Sequence, residues 1–501
     1  MSSVIDGQWR RQDPRTIASV GLLVLAPAVP TVGIMTISGA GVGALLITAS
    51  LWFAGALALA GLVAVDWWFA WYRITPERFE LRKGALTRNH LSIPRERIRS
   101  VDLTAGPSHR VFGITTVKVG TGGRGGDSSE LKLDAILRSH AESLRHELLF
   151  GSSSTVAGSE VEAEPAGSTT LARLNPAWLA YSALSVGLIL IVWGAIASAF
   201  GSFRELLLKT GVFSAVGETV QSMALWLVIV LAAGLALVVG VVGAFALSLE
   251  MWWGFRLSRD RGDTLQVRRG LLTTRSVSLE ERRLRGVELV EPLLLRWSGG
   301  ARLAAVATGL KQKKEEHQPD NKTLMPPAPR AAVQRASAAV LREPQSPTEV
   351  PLRRHPRAAL RRRINWALMA AAPVLVAAVV TAWFGWVPGP LAVAVVVIAV
   401  LAFLGFAVDA YRNLGHQLTG RYLVARSGSG IRRTAVLQRD GVIGWKMSRT
   451  LFQRRSGLMT VGATTAAGSS IYEVHDVAEE EGLAMAREAL PELLTPFLER
   501  G

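Results

Sequence analysis

Six uninterrupted apolar stretches, set in three closely spaced pairs, constrain this chain more than any other feature. The first pair covers residues 17–37 and 42–65, the second 178–200 and 223–249, the third 364–387 and 391–408. Each is near the ~20 residues that cross ~30 Å of hydrocarbon as a helix. Uncharged runs of this length are rare in soluble cores, and a hydrophobic content of 49% in 501 residues points the same way. The expected fold class is a multi-pass α-helical membrane protein with six transmembrane helices in three hairpins. Pro27 and Pro30 are expected to kink the first helix. That first run is too long for the apolar part of a signal peptide, lacks a small-residue cleavage site and is followed at once by a second span.

Positive charge stays on the cytoplasmic side of short connections. The turns 38–41 and 388–390 carry no charge, and the middle connection has only Arg204 and Lys209 as basic residues. Both termini and the three long polar segments are therefore expected on the cytoplasmic face of the cell membrane. Trp67, Trp68, Trp71, Trp252, Trp253 and Tyr411 fall where the second helix of each pair exits, the place for interfacial anchors. A formal charge of +17 fits an acidic partner, anionic lipid or nucleic acid. The lack of cysteine excludes disulfides, thiolate metal sites and cysteine nucleophiles.

The polar segments align with one another, so the chain reads as one unit repeated three times. Asp13-Pro14, Asn175-Pro176 and His355-Pro356 each precede a hairpin, with a capping Asp or Asn in two of the three. Asp66, Glu250 and Asp409 end the hairpins. Downstream, Phe79 to Gly84 corresponds to Leu265 to Gly270 and Leu423 to Gly428. Leu91 to Val101 corresponds to Val277 to Val287 and to the stretch that opens at Ala435, and Gly113 corresponds to Gly299 and Gly457. Alternation such as Leu91/Ile93 and Val117/Val119, broken by Gly84 and the glycine-rich stretch 120–126, predicts short antiparallel strands. Helical spacing predicts closing helices over 134–149, 329–341 and 476–494.

The pattern Arg73-Ile-Thr, Leu81-Arg-Lys-Gly84, Ile93-Pro-Arg-Glu-Arg-Ile98 and Phe112-Gly113 resembles the bacterial pleckstrin-homology domain of the YdbS/YdbT type. The resemblance is strongest in the first segment, good in the second and weaker in the third, where Gln438 replaces Pro94 and Gly441 replaces Arg97. It implies a strand sandwich or barrel capped by a C-terminal helix, with paired membrane helices before each domain. The expected layout is hairpin 10–66, domain 67–150, flexible linker 151–170, hairpin 171–250 and domain 251–342 with a polar insertion at 312–327. A basic linker 343–363, a hairpin 364–409 and a diverged domain 410–501 complete it.

Arg353, Arg354, Arg357, Arg361, Arg362 and Arg363 stand immediately before the fifth apolar run. Such a cluster attracts anionic headgroups by about 1 kcal/mol per charge, and equally serves as a topology signal. Arg95, Arg97, Arg99, Arg110 and Lys118 are candidates for a basic face that contacts a headgroup or an acidic partner, against the alternative of a solvated strand face. The eight histidines are scattered without metal-ligand spacing, and no catalytic constellation or phosphate loop stands out, so no enzyme, cofactor or metal is expected. No recognised motif points to nucleic acid. The expected function is a non-enzymatic interaction platform on the inner leaflet, tied to envelope integrity or resistance to membrane-active compounds. Its expected partners are anionic lipids and another membrane protein of the same family. A lipid sensor and a transporter of a lipid or hydrophobic compound are the alternatives.

Overall fold

The computed structural model describes residues 7–37, 39–84, 88–98, 100–120, 130–150, 169–209, 223–260, 263–308 and 322–494. Among these, five helices are long and apolar enough to cross a membrane: Arg15–Ile37, Val42–Phe69, Leu225–Trp252, Arg357–Trp383 and Gly389–Arg412. This corrects the expected six. The stretch 178–200 is broken into Trp178–Ala183 and Val186–Lys209, and its apolar part among the described residues is Val186–Ser198. The amides of Leu188 and Ile189 both turn to the Ser185 carbonyl, so Ser185 opens a second helix; serine favours helix ends over interiors because its hydroxyl competes for backbone groups. The expected kink in the first span is a break at Pro27, between the helices Arg15–Leu25 and Ala28–Ile37. Pro27 has no amide hydrogen to continue the ladder, whereas Pro30 lies in the first turn of the next helix, where none is needed.

The polar segments form twenty described strands. The first segment carries β1 (Arg10–Arg11), β2 (Trp71–Ile74), β3 (Arg78–Lys83), β4 (Asn89–Pro94), β5 (Ser100–Ala105), β6 (Ile114–Gly120) and β7 (Glu130–Leu137). The second carries β8 (Thr169–Arg173), β9 (Arg256–Asp260), β10 (Thr264–Arg269), β11 (Thr274–Glu280), β12 (Leu284–Pro292), β13 (Gly300–Ala307) and β14 (Thr323–Pro329). The third carries β15 (Gly415–Thr419), β16 (Tyr422–Ser427), β17 (Ile431–Gln438), β18 (Val442–Ser448), β19 (Leu458–Thr465) and β20 (Ile471–Ala478). From β2, β9 and β15 onward the order is the same: three strands, a 3-10 turn, a strand, a short helical turn, two strands and a closing helix. The helical turns are Pro107–Val111, Leu293–Trp297 and Leu451–Arg455; the closing helices are Arg138–Phe150, Arg330–Leu341 and Glu479–Ala489.

Four expected boundaries shift. Residues 134–137 and 476–478, read as helix, belong to β7 and β20, because pairing with β6 and β19 extends the strands further than their helical spacing suggests. Part of the expected polar insertion, 323–327, lies in β14, whose three prolines are accommodated at the edge of its sheet; residues 312–321 lie outside the described residues. The end of the linker 151–170 is the start of β8.

The chain divides into two compact units, 1–281 with 309–319 and 282–308 with 320–501, so the division falls inside the second segment. Unit one holds a sheet of order β1-β2-β3-β4 and a seven-stranded sheet of order β7-β6-β5-β11-β10-β9-β8. Unit two holds a six-stranded sheet of order β14-β13-β12-β17-β16-β15 and a sheet of order β18-β19-β20. Each large sheet thus joins the late strands of one segment to the early strands of the next. In unit one Phe79, Val101, Val117 and Leu133 share a buried core with Leu144 of the closing helix. Leu423, Leu437, Val461, Val477 and Ala486 form its equivalent in unit two. Burying apolar side chains from strands and helix together is what holds these sandwiches.

Candidate functional site

The two joints between segments occupy corresponding positions. In unit one β5 pairs antiparallel with β11, with Ala105 opposite Thr274 and Leu103 opposite Ser276. In unit two β12 pairs with β17 from Gly286 opposite Leu437 to Pro292 opposite Ile431, which sets Glu291 opposite Arg432. In the alignment of segments Ala105 corresponds to Glu291 and Thr274 to Arg432, so the register is the same at both joints. A further bond recurs. Arg110, in the helical turn after β5, donates to the Leu271 carbonyl, and the corresponding Arg296 donates to the Ser429 carbonyl at 3.4 Å.

What fills the joints differs. Beside the unit-one joint lies a cavity of about 290 Å³ lined by Arg110, Arg138, Arg145, Arg268 and Arg275, with Glu142 the one carboxylate on its wall. Glu142 is engaged by Arg138 at 3.2 Å. Arg145 donates to Ser276 Oγ at 3.1 Å; burial lowers its guanidinium below its ordinary value, opposed by Asp260 and Glu142. Ala105 and Thr274 contribute no charge. In unit two the corresponding place holds buried Glu291, which Arg432 grips with two bonds of 2.6 and 2.7 Å and which Arg330 approaches at 3.8 Å. Arg296 is held by both oxygens of Asp409 at 2.9 Å, and Arg433 by Glu288 at 3.1 Å. At the unit-two joint Arg296, Arg432 and Arg433 each have an internal carboxylate; the wall of the unit-one cavity carries five arginines and one carboxylate.

The starts of the hairpins also differ. Asp13 and Asn175 cap their helices, accepting from the Arg15 and Ala177 amides at 2.9 and 3.0 Å. His355, at the third such position, is buried instead. Its Nδ1 lies 3.2 Å from the Asp476 carbonyl and its Nε2 lies 3.1 Å from His416 Nδ1. A carbonyl only accepts, so Nδ1 of His355 carries the proton, Nε2 accepts, and His416 Nδ1 donates. Burial, then the neighbouring His355 and Arg353, pushes His416 down to about 4, and burial lowers His355 as well. The fully buried Asp476 carboxylate takes Arg362, Arg363 at 3.3 Å and Gln453 at 2.9 Å.

A family model described as bacterial PH domain matches residues 20–149 and 367–491, together more than half of the chain. The chain belongs to the bacterial PH domain family. No curated protein and no solved structure matches it. Each matched region of this bacterial PH domain protein opens inside the first helix of a pair and runs to a closing helix, so it takes in the apolar helices as well as the sandwich.

In this bacterial PH domain protein the arginines at 353–363 separate into two groups. Arg362 and Arg363 are spent on Asp476, whereas Arg353, Arg354, Arg357 and Arg361 are exposed. The first-segment candidates are spread over several elements. Arg95 lies in the 3-10 turn and donates to the Pro76 carbonyl at 3.3 Å. Lys118 lies mid-strand in β6, between Asp102 and Lys132 in register. Arg110 lines the cavity. Arg97 has only its backbone described, and Arg99 lies outside the described residues. Sequence reasoning missed Arg138, Arg145, Arg268 and Arg275, which are far apart in the chain. Correspondence with Arg330, Arg426 and Arg433 was the available signal for three of them. It also read the histidines as scattered, although the fold brings His355 and His416 into contact.

Proposed function

We propose that this protein is a non-enzymatic, membrane-anchored interaction platform whose polar segments lie on the cytoplasmic face, and that it engages the phosphate of anionic headgroups through the unit-one cavity. The observation that carries this reading is the contrast at position 105. Where the second joint has a buried glutamate neutralising its arginines, the first has alanine and an open cavity lined by five arginines. An anion from outside would take the place that Glu291 takes in unit two, with charge-assisted and bidentate bonds from guanidinium groups. Exposed Arg353, Arg354, Arg357 and Arg361, at the start of an apolar helix, add attraction to the same leaflet. The three-unit YdbS/YdbT-like organisation and a role in envelope integrity or resistance to membrane-active compounds belong to the same reading.

The test is Ala105→Glu, which supplies the missing carboxylate from within. The full chain in nanodiscs is assayed by native mass spectrometry for retained anionic and zwitterionic phospholipid, with inorganic phosphate as competitor. Retention of anionic lipid that drops at least tenfold in the variant supports the reading. Equal retention in both proteins rejects the cavity as the headgroup site, and displacement by millimolar phosphate alone marks a free-phosphate site instead.

A further inference from the structure

The protein makes the joint between a late strand and an early strand twice, β5 with β11 and β12 with β17. The corresponding strands left over are β4, an edge of the unit-one sheet, and β18, an edge of the unit-two sheet; among the described residues each pairs on one side only. We propose that β18 of one copy pairs with β4 of a second copy, continuing across chains the joint made within each chain.

Three observations support it. The register shared by the two internal joints, carried onto these edges, sets Trp445 opposite Ser92 and Met447 opposite His90, and the strands then overlap along nearly their whole lengths. Exposed edges offer unpaired backbone groups in the geometry a further strand needs.

The second is glycine. A Cβ on Gly286 would lie 1.8 Å from the Val436 carbonyl of the partner strand, so that joint needs glycine. The corresponding Gly444 sits at a similar register shift in β18, yet nothing lies within 4 Å of its would-be Cβ and its φ is not in the left-handed region. Its own chain gives no reason for glycine there; a strand docked along β18 would, by bringing a backbone against it as β17 is brought against Gly286.

The third is charge. Arg110 and Arg296 both reach the next segment, and Arg296 pairs with the hairpin-exit acid Asp409. The corresponding Arg454 is exposed with no partner among the described residues. The first exit acid, Asp66, is half exposed and, among the described residues, pairs with Lys83 at 3.2 Å. Arg454 of one copy and Asp66 of the second are therefore complementary. A head-to-tail contact of this kind closes into rings when its rotation allows, the smallest being a dimer that uses both edges of each copy.

The experiment co-expresses two differently tagged full-length chains, one Met447→Cys and one His90→Cys, in this otherwise cysteine-free protein. Oxidation is expected to link the two tags, with yield at least tenfold above that of Met447→Cys with Leu91→Cys, which faces the other side of the strand. Gly444→Val and Arg454→Glu are each expected to remove the link and reduce the mass in nanodiscs to one chain of 53.8 kDa, while melting of the variant stays that of the parent. A parent protein of one-chain mass with no link between tags overturns the proposal. So does a link that forms only when both cysteines are on one chain, or one equally strong with Leu91→Cys.

Discussion

The two joints between segments share register, strand polarity and the arginine that reaches into the next segment, and differ in where their negative charge comes from. In unit two Glu291 is buried and closes its arginines internally; in unit one Ala105 leaves an open basic cavity. Buried charge is tolerated where it is paired, so the filled joint is a structural element, and the open one is the place we propose for a ligand. The same backbone frame thus carries a buried carboxylate at one joint and an open basic cavity at the other, decided by one side chain.

The largest expected effect comes from emptying the filled joint. Glu291→Ala leaves Arg432 and Arg330 without their carboxylate, and breaking such a buried pair costs about 3–5 kcal/mol. Hydrogen exchange should show β12 and β17 losing protection while β5 and β11 keep theirs; an unchanged β12 would mean the joint is held by its ladder alone.

Acidification is the next lever. His416 titrates near 4 in the fold and near 6.5 when unfolded, so the unfolded chain binds a proton that the fold refuses. Stability is full above about pH 6.5 and falls as pH drops towards 4, by up to about 3 kcal/mol for this group. Thermal melting at pH 7.5 and pH 5 should show unit two weakening more than unit one, and His416→Gln should flatten the difference.

Filling the open joint has a smaller effect on the fold. Ala105→Glu is expected to change stability by less than about 1 kcal/mol, because the new carboxylate meets waiting arginines, while anionic lipid retention falls at least tenfold. A large loss of stability would show that the cavity has no room for a carboxylate. A comparably small effect is expected at the hairpin starts. Asp13→Ala and Asn175→Ala each remove a cap worth about 1 kcal/mol, readable as a small shift in melting temperature, whereas His355→Ala exceeds either because it also opens the contact with His416.

The capping residues and the corresponding glycines 113, 299 and 457 were legible in the sequence because each acts on its near neighbours, and the hairpin-exit acids because each ends an apolar run. Asp66, Glu250 and Asp409 do engage polar groups beside the hairpin exits: Lys83, the amides of Leu272 and Thr273, and Arg296. The cavity was less legible. Arg110 was singled out, but its companions Arg138, Arg145, Arg268 and Arg275 come from two segments and stand at ordinary strand and helix positions. The buried histidine pair was invisible for the same reason, since 61 residues separate its members.

The sequence by itself determined five of the six expected apolar spans, the PH-like strand domains and the correspondence between segments, because hydrophobic period and turn chemistry are local properties of the chain. Tertiary structure alone decided that Thr274 lies beside Ala105 and Arg432 beside Glu291, and so which joint is filled and which is open. An alternating strand reads the same whichever strand lies beside it. The neighbour is chosen by packing between residues far apart in sequence, and that choice sets the charge each side chain meets.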